Sequence, residues 1–568
     1  MQKRWVIKEK GEPGLVKQLM DGLNINEKLA QLLLQRDVKS FEDAKSFFRP
    51  ELEDLHDPFL MKDMGKAIER LELAIQNGER IMVYGDYDVD GTTAVALMYS
   101  FIKELHENVD YYIPDRYLEG YGISFAGIDY AKETGVTLIV ALDCGIKSND
   151  KIDYANERGI DFIICDHHLP GETIPEAVAV LDPKRTDCTY PFKELCGCGI
   201  GFKLAQAYSQ KNNIPFENLH KYLDLAVISI ASDVVPIVDE NRILAYYGLE
   251  QVNTKPRPGV KSLLEFHKVK HAMNISNLVF VVGPRINAAG RISSGKKAVE
   301  MLISESMELA AVTGKLINED NDKRKGIDKT ITAEALEMIG SDEALINKKT
   351  TVLFHESWHK GVVGIVASRL TDTYYRPTIL LAESNGKATG SARSVQDFDV
   401  YHAIEQCSEL LEQFGGHKYA AGLTIKKENI EAFSNKFEKI VSGLITEEML
   451  IKPIDIDLEV DFAELTDKFY RIMKQMSPFG PGNMNPVFVT RGVKNKWPAR
   501  LMKEDHLRLE LIQPGNPNFI FSAIGFNMKN LFDMVSTGQP FDVCYSIEEN
   551  HYNGKTTLQL NLKDIRIN

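Results

Sequence analysis

Three short apolar runs in this chain each end in a carboxylate. Ile81-Met82-Val83-Tyr84 leads into Gly85-Asp86-Tyr87-Asp88-Val89-Asp90-Gly91. Leu138-Ile139-Val140-Ala141-Leu142 leads into Asp143-Cys144-Gly145, and Phe162-Ile163-Ile164-Cys165 leads into Asp166-His167-His168. Continuous β-rich runs followed by Gly and a helical pattern predict parallel strands buried on both faces. Ligands of such sheets bind beyond the carboxyl ends of the strands, so three strands would deliver Asp and His to one edge.

The same alternation extends from about 61 to 270. A helix over 64–77 precedes the first strand, and another runs from Thr92 to Leu105. Leu223 to Ser232 is apolar and ends at Asp233, where a carboxylate would point back at the same edge. Residues 1 to about 60 carry short helical pieces broken by Pro50 and Pro58, a lid or brace for the β–α unit next to them. Lys296 to about Ile339 reads as one long helical region. Its charged middle, Asn318 to Lys325, has no core-sized apolar face and reads as a solvated interdomain helix. A second β–α unit runs from Thr351 to near Ser442. From about 451 short alternating runs, such as Leu507–Leu511 and Thr557–Leu562, predict an all-β barrel.

Asp88 and Asp90 stand two apart and share a face of an extended loop. Asp143 and His167 come from adjacent strand ends, and a carboxylate at Asp143 suits a bridge between two cations ~3.5–4 Å apart. His168 would contact a phosphate or donate a proton, or else stand behind the ligands. Converged carboxylates repel by about 4 kcal/mol at ~4 Å and an effective dielectric of ~20, which divalent cations would offset. Asp and His without thiolates suit Mg²⁺ or Mn²⁺, and imidazole favours Mn²⁺. A single Asp after a strand is usually a helix cap, and Asp88 and Asp90 alone would pass for a solvated turn. Three such strand ends together make that bland reading poor.

At 568 residues the chain exceeds one core, and its net charge of -14 gives no bulk attraction to nucleic acid. Binding of that kind would need local basic grooves and metals. The Cys count is odd, at 7, and Cys196-Gly197-Cys198 is the one close pair, which argues against a zinc site and a disulfide framework. No charged-then-apolar leader and no membrane-length apolar run are visible, so a cytoplasmic protein without membrane association is expected.

The second β–α unit concentrates anion-binding features. Gly361 to Arg369 follows His359 as a Gly-started helix, Gly390-Ser391-Ala392-Arg393-Ser394 pairs a guanidinium with hydroxyls, and Gly415-Gly416-His417 permits close backbone approach. Pro114 to Gly122, with Arg116, Tyr117 and Tyr121, and Gly283 to Arg291 fit a polynucleotide, although Tyr117 reads equally as part of a structured loop. In the barrel Arg491, Lys494, Lys496 and Arg500 cluster with Trp497, a basic face with an aromatic that suits single strands.

These residues together resemble the DHH phosphoesterase superfamily and, within it, the bacterial RecJ single-strand-specific exonucleases. The resemblance rests on residues 86–91, Asp143, Asp166-His167-His168, Asp233, Arg116 to Gly122, Gly283 to Arg291, His359 to Leu370, Ser391-Ala392-Arg393 and Gly415-Gly416-His417. It implies a multidomain α/β fold: a parallel-sheet DHH domain and a smaller α/β DHHA1 domain joined by a long helix, with a C-terminal OB-fold barrel. The boundaries expected are 1–60 for the brace, 61–295 for DHH, 296–345 for the linking helix, 346–445 for DHHA1 and 451–568 for the OB-fold. The activity implied is 5′→3′ hydrolysis of single-stranded DNA to mononucleotides with two Mn²⁺ or Mg²⁺ ions, in recombination and repair. A phosphodiesterase acting on short oligonucleotides or cyclic dinucleotides is the alternative.

Carried over, Asp88, Asp90, Asp143, His167 and Asp233 would hold the metals, and Asp143 and His168 would be catalytic. Arg285, Ser391 and Arg393 would bind the 5′ end, Arg116 the strand, and His417 the substrate. Other members open the first motif with His where this chain has Tyr84, with Asp86 or water as the substitute. Some members carry a further C-terminal domain, whereas this chain is expected to end with the barrel. A monomer is expected, and a single-strand-binding protein and a helicase are the implied partners.

Overall fold

The structure, a computed structural model, describes residues 3–266, 272–552 and 555–567. The predicted strands form a five-stranded parallel sheet in the order Val109–Tyr112, Arg80–Gly85, Val136–Leu142, Asp161–Cys165 and Ala179–Leu181. Ile81, Val83, Leu138, Val140 and Leu142 enter one core, while Met82, Tyr84, Ile139 and Ala141 enter the other. Successive side chains on a strand face opposite ways, so a sheet covered on both sides needs apolar residues at nearly every position. From Arg80–Gly85 the chain moves out to one flank at Val109–Tyr112 and then returns to the other at Val136–Leu142. That reversal opens a crevice at the carboxyl ends of the strands. Asp86 to Asp90, Asp143 and Asp166 to His168 leave the sheet on that side.

The linking region departs from the sequence reading. Helix Gly295–Leu302 stops, Ser306 caps a new start, and one helix then runs from Met307 to Gly340. Its charged middle is solvated on one side only: Glu319, Asp322, Lys323 and Lys325 are exposed, as expected, while Asp320 and Asn321, and Asp328 a turn or two further on, are buried. Ser293 donates to Asp320 (2.7 Å), Arg324 to Asn321 (2.8 Å) and Arg369 to Asp328 (2.8 Å). The polar side of this stretch that turns inward is tolerated because its neighbours bring polar partners.

The second sheet is mixed, in the order Leu411–His417, Ala420–Ile425, Lys387–Arg393, Thr378–Ser384 and Thr351–His355. Helix Val363–Tyr374 packs against it and against the linking helix. The C-terminal strands form a seven-stranded sheet that closes through pairing of Val487–Asn495 with His506–Gln513, an OB-like barrel. Alternate residues Leu507, Leu509 and Leu511 fill its core with Phe462, Phe488 and Tyr545.

The N-terminal helices Pro13–Leu23, Glu27–Leu34 and Phe41–Phe48 belong to that same core through Val16, Leu19, Leu29 and Leu33. Strand Arg4–Ile7 also pairs in parallel with Pro453–Ile456. The segment therefore packs chiefly on the barrel, over 400 residues away in sequence, rather than on the adjacent β–α unit. Arg242 ties the three together: its buried guanidinium donates to the carbonyls of Phe47 (2.8 Å), Met476 (3.0 Å) and Ser477 (3.0 Å). All seven cysteines are free and buried. Among the described residues no helix is long and apolar enough to cross a membrane.

Candidate metal centre and nucleic-acid interface

Asp90 lies in the first turn of helix Val89–Leu105 and is 2% exposed. Its carboxylate accepts from the Gly197 amide (2.6 Å), the Cys198 amide (2.7 Å) and the Ser229 hydroxyl (2.6 Å). The two amides open helix Gly197–Lys211, where they have no partner in their own helix and present its positive end. Asp88 caps the helix that carries Asp90, accepting from the Gly91 amide at 3.0 Å. Asp143 is held in the left-handed region at φ 59, a conformation that costs about 1–2 kcal/mol for a residue with a Cβ. Gly197 makes room for it, since a Cβ at Gly197 would fall 2.6 Å from Asp143 Cβ.

These elements converge on His167. Its Nε2 lies 3.2 Å from Asp143 Oδ1, 3.6 Å from Asp90 Oδ2 and 3.7 Å from Asp233 Oδ2. Ligand atoms of Asp90, His167 and Asp233 lie within 4.8 Å of one another, as do those of Asp143, His167 and His168. Burial, then the charges of Asp90, Asp88 and Asp233, pushes the Asp143 carboxyl far above its ordinary range. Asp88 is raised by burial and Asp90. Asp233 is raised to about 8 by burial, Asp90 and Asp88. His167 is lowered, chiefly by burial, and its Nδ1 is buried with no hydrogen-bond partner among the described residues. Several carboxylates crowded around a neutral imidazole, with no thiolate among them, are the donor set of hard divalent cations.

Asp166, the first residue of the Asp-His-His run, stands behind this centre and organises it. It is 1% exposed and accepts from the amides of His167 (2.7 Å), His168 (3.1 Å) and Ile146 (2.9 Å). It also bonds His168 Nδ1 at 2.7 Å. Burial opposes its charge, but the His168 contacts and these amides prevail and bring its pKa down to about 2. His168 feels the same opposition: burial lowers it, while Asp166 raises it to about 9. The outer nitrogen, Nε2, meets the Tyr121 hydroxyl at 3.2 Å, and that hydroxyl also donates to the Asp143 carbonyl at 3.1 Å. The motif alone assigns Asp166 no role, because its partners come from backbone geometry.

Tyr84 does not face the metal edge. Its hydroxyl donates to the Gly122 carbonyl (3.0 Å) and accepts from the Ser124 amide (3.1 Å), propping the loop above. Asp86 is fully buried beside the cluster, and burial and Asp88 raise its pKa well above the usual range. One of its oxygens accepts from the Gly122 amide at 3.3 Å, while the other lacks a partner among the described residues.

A second cluster lies where the two sheets meet. Arg393 donates to Ser391 Oγ (2.5 Å) and Ser368 Oγ (3.1 Å), and a Cβ at Gly364 would touch both Arg393 and Ser391 at 3.1 Å. Arg291 donates to the Gly361 carbonyl at 2.8 Å. Its pKa falls to about 10 through burial and the neighbouring charges of Arg116 and Arg393. Arg116 rests over the Tyr87 ring at 4.7 Å. Arg285 is elsewhere: it is buried at 7%, bonding the Val281 carbonyl (2.6 Å) and Asn318 (3.0 Å). The same Gly283–Arg291 stretch thus contributes Arg291, not Arg285, to the cationic group. Tyr117 is a bridge, its hydroxyl donating to the Arg291 carbonyl at 2.5 Å and its ring edge-on to His359 at 6.0 Å. His417 ends an exposed strand, and burial, then Lys147, His168 and Lys184, lower its pKa.

In the barrel, Trp497 is 59% exposed beneath Lys496 (5.6 Å). Arg491 turns away from that face to pair with Asp542 (2.8 Å) and Glu459 (3.3 Å).

Comparisons with known proteins agree with this layout. Family models match at residues 80–230 (DHH family, N-terminal domain), 347–443 (DHHA1 domain) and 456–564 (RecJ OB domain). The chain is 36% identical over 569 residues to the single-stranded-DNA-specific exonuclease RecJ of Bacillus subtilis, covering 99% of this chain and 71% of that protein. It is 33% identical to its Escherichia coli counterpart, covering 88% of this chain and 89% of that one. The crystal structure of RecJ in complex with Mn²⁺ from Thermus thermophilus superposes with a TM-score of 0.86 at 25% identity, over 100% of this chain and 80% of that one. A Mg²⁺ complex of the same protein superposes with a TM-score of 0.80. With all three domain models matched and relatives above 30% identity along nearly the whole chain, this chain belongs to the RecJ family.

Proposed function

We propose that this protein is a metal-dependent exonuclease that digests single-stranded DNA from the 5′ end to mononucleotides. The observation that carries the reading is His167 Nε2 within 3.2–3.7 Å of three carboxylates from separate elements. The cationic Arg116, Arg291 and Arg393 group stands at the neighbouring domain junction. Asp88, Asp90, Asp143, His167 and Asp233 would hold two ions, Mn²⁺ or Mg²⁺. When bound, these would activate water and neutralise charge on a phosphodiester.

The chain's own residues supply the rest. Asp166 fixes the His168 ring and favours its protonated form, which would let Nε2 give a proton to the leaving 3′ oxygen. Tyr121 holds that ring at the edge of the centre. Arg393, Ser391 and Arg291 present converging donors to a terminal phosphate, a group with two negative charges that an internal phosphodiester lacks. That preference sets the 5′ polarity. Trp497 and Lys496 offer the emerging strand a stacking surface with a cation beside it. A phosphodiesterase on cyclic dinucleotides is not favoured, since the relatives matched along nearly the whole chain are single-strand exonucleases.

The test is a time course on 3′-labelled single-stranded DNA with Mn²⁺, beside the same DNA as blunt duplex. Progressive shortening of the single strand with the duplex resistant is expected. Immediate release of labelled mononucleotide would reverse the polarity.

A further inference from the structure

Beside Tyr121 lies an open cleft of about 450 Å³ that none of the roles above uses. Leu118, Tyr121, Phe125, Lys147, Ser148 and Lys151 line it. Its apolar wall is unusually bare: Leu118 is 88% exposed, Tyr121 54% and Phe125 43%. Lys151 sits 5.1 Å from the Phe125 ring and pairs with the exposed Asp150 at 2.7 Å, while Lys147 is exposed with no ion pair to a carboxylate among the described residues. Rings and an aliphatic side chain flanked by amines match a nucleobase with its phosphate.

We propose that this cleft is the subsite for the nucleotide on the 3′ side of the scissile phosphate. The proposal rests on the exonuclease reading. A shared wall carries the placement: Tyr121 lines the cleft and also touches His168, so the cleft opens directly beside the catalytic edge. Arg116, at the start of the loop that carries Tyr121, belongs to the 5′-end group, and Phe125, at its end, lines the cleft. A strand anchored at Arg116, with its first internal phosphate at His168, places the next base against Leu118, Tyr121 and Phe125. Its following phosphate then lies near Lys147, with Lys151 held beside it by Asp150. Glu119, the one acid on the wall, is turned inward, accepting from the Asp115 amide (2.7 Å), Ser124 Oγ (2.5 Å) and the Tyr112 hydroxyl (3.0 Å), so it does not oppose that phosphate.

Stopped-flow fluorescence on 5′-phosphorylated oligonucleotides with Mn²⁺ tests this, using 2-aminopurine as the second base. The wild-type protein should quench the probe on binding, before any mononucleotide appears. Phe125→Leu should weaken the quench. Lys147→Glu should raise KM about 10-fold or more with kcat little changed, because the contact holds ground and transition states alike. Both side chains are at the surface, and an unchanged melting temperature would exclude a folding defect. Wild-type quench and KM in both variants would overturn the subsite while digestion by the wild type still upheld the exonuclease. Failure of the wild type to digest the strand would overturn both.

Discussion

Removing the divalent ions should destabilise the protein in a way that depends on pH. With donor oxygens within 4.8 Å of one another, two ionised carboxylates repel by about 3.5 kcal/mol at an effective dielectric of ~20. Asp143, Asp88 and Asp233 carry folded-state pKa values above their ordinary range, Asp233 at about 8. A raised carboxyl pKa means the folded state binds protons more tightly than the unfolded chain. Its contribution is fully present below about pH 4 and is lost as pH rises through the folded value. The ion-free protein should therefore lose stability between about pH 4 and 8. Ions at 100 times their Kd would restore about 2.7 kcal/mol, or roughly 5–10 °C in Tm for a cooperative unit of about 150–250 residues. Calorimetry in Mn²⁺ against EDTA should show that gain at pH 8 and only a small part of it at pH 5.5, where protons compete for the same oxygens. Asp143→Asn should raise the Tm in EDTA and abolish the Mn²⁺ increment. An increment independent of pH, or one that survives in Asp143→Asn, would refute the reasoning.

Other substitutions separate the remaining roles. Asp166→Asn should cut kcat by about 10²–10⁴ with Mn²⁺ affinity retained, because His168 loses the partner that holds its proton. Single-turnover kinetics and calorimetric Mn²⁺ titration would check both halves. Arg291→Ala or Arg393→Ala should remove discrimination for a 5′-phosphate over a 5′-hydroxyl by about 10–100-fold, the worth of a charged hydrogen bond. Arg285→Ala should lower Tm and leave that ratio unchanged. Gly197→Ala should weaken Mn²⁺ binding and cleavage together, since its Cβ would press on Asp143.

The parallel sheet is legible in the chain alone, because a strand buried on both faces has to be apolar at nearly every position. So are the donor types at the strand ends, because chemistry at a sheet edge has to stand immediately after the strand. Asp88, Asp90, Asp143 and His167 are candidates for that reason, whereas Asp233 follows helix Leu223–Ser232 rather than a strand; the alternating pattern of the barrel is readable too. Contacts between distant segments are not. The charged run Asn318–Lys325 reads as solvated, and half of it is, but Asp320 turns inward to Ser293 and Asn321 to Arg324. Two arginines six residues apart in one motif are equivalent on paper. The helix phase of Gly283–Ile292 sends Arg285 to Asn318 and Arg291 to the cationic group. The N-terminal helices carry apolar faces whose partner no local pattern names, and only the folded chain places the barrel there. Local sequence sets periodicity and donor chemistry, while partners supplied from across the fold decide which polar groups are buried and which arginine joins the cationic group.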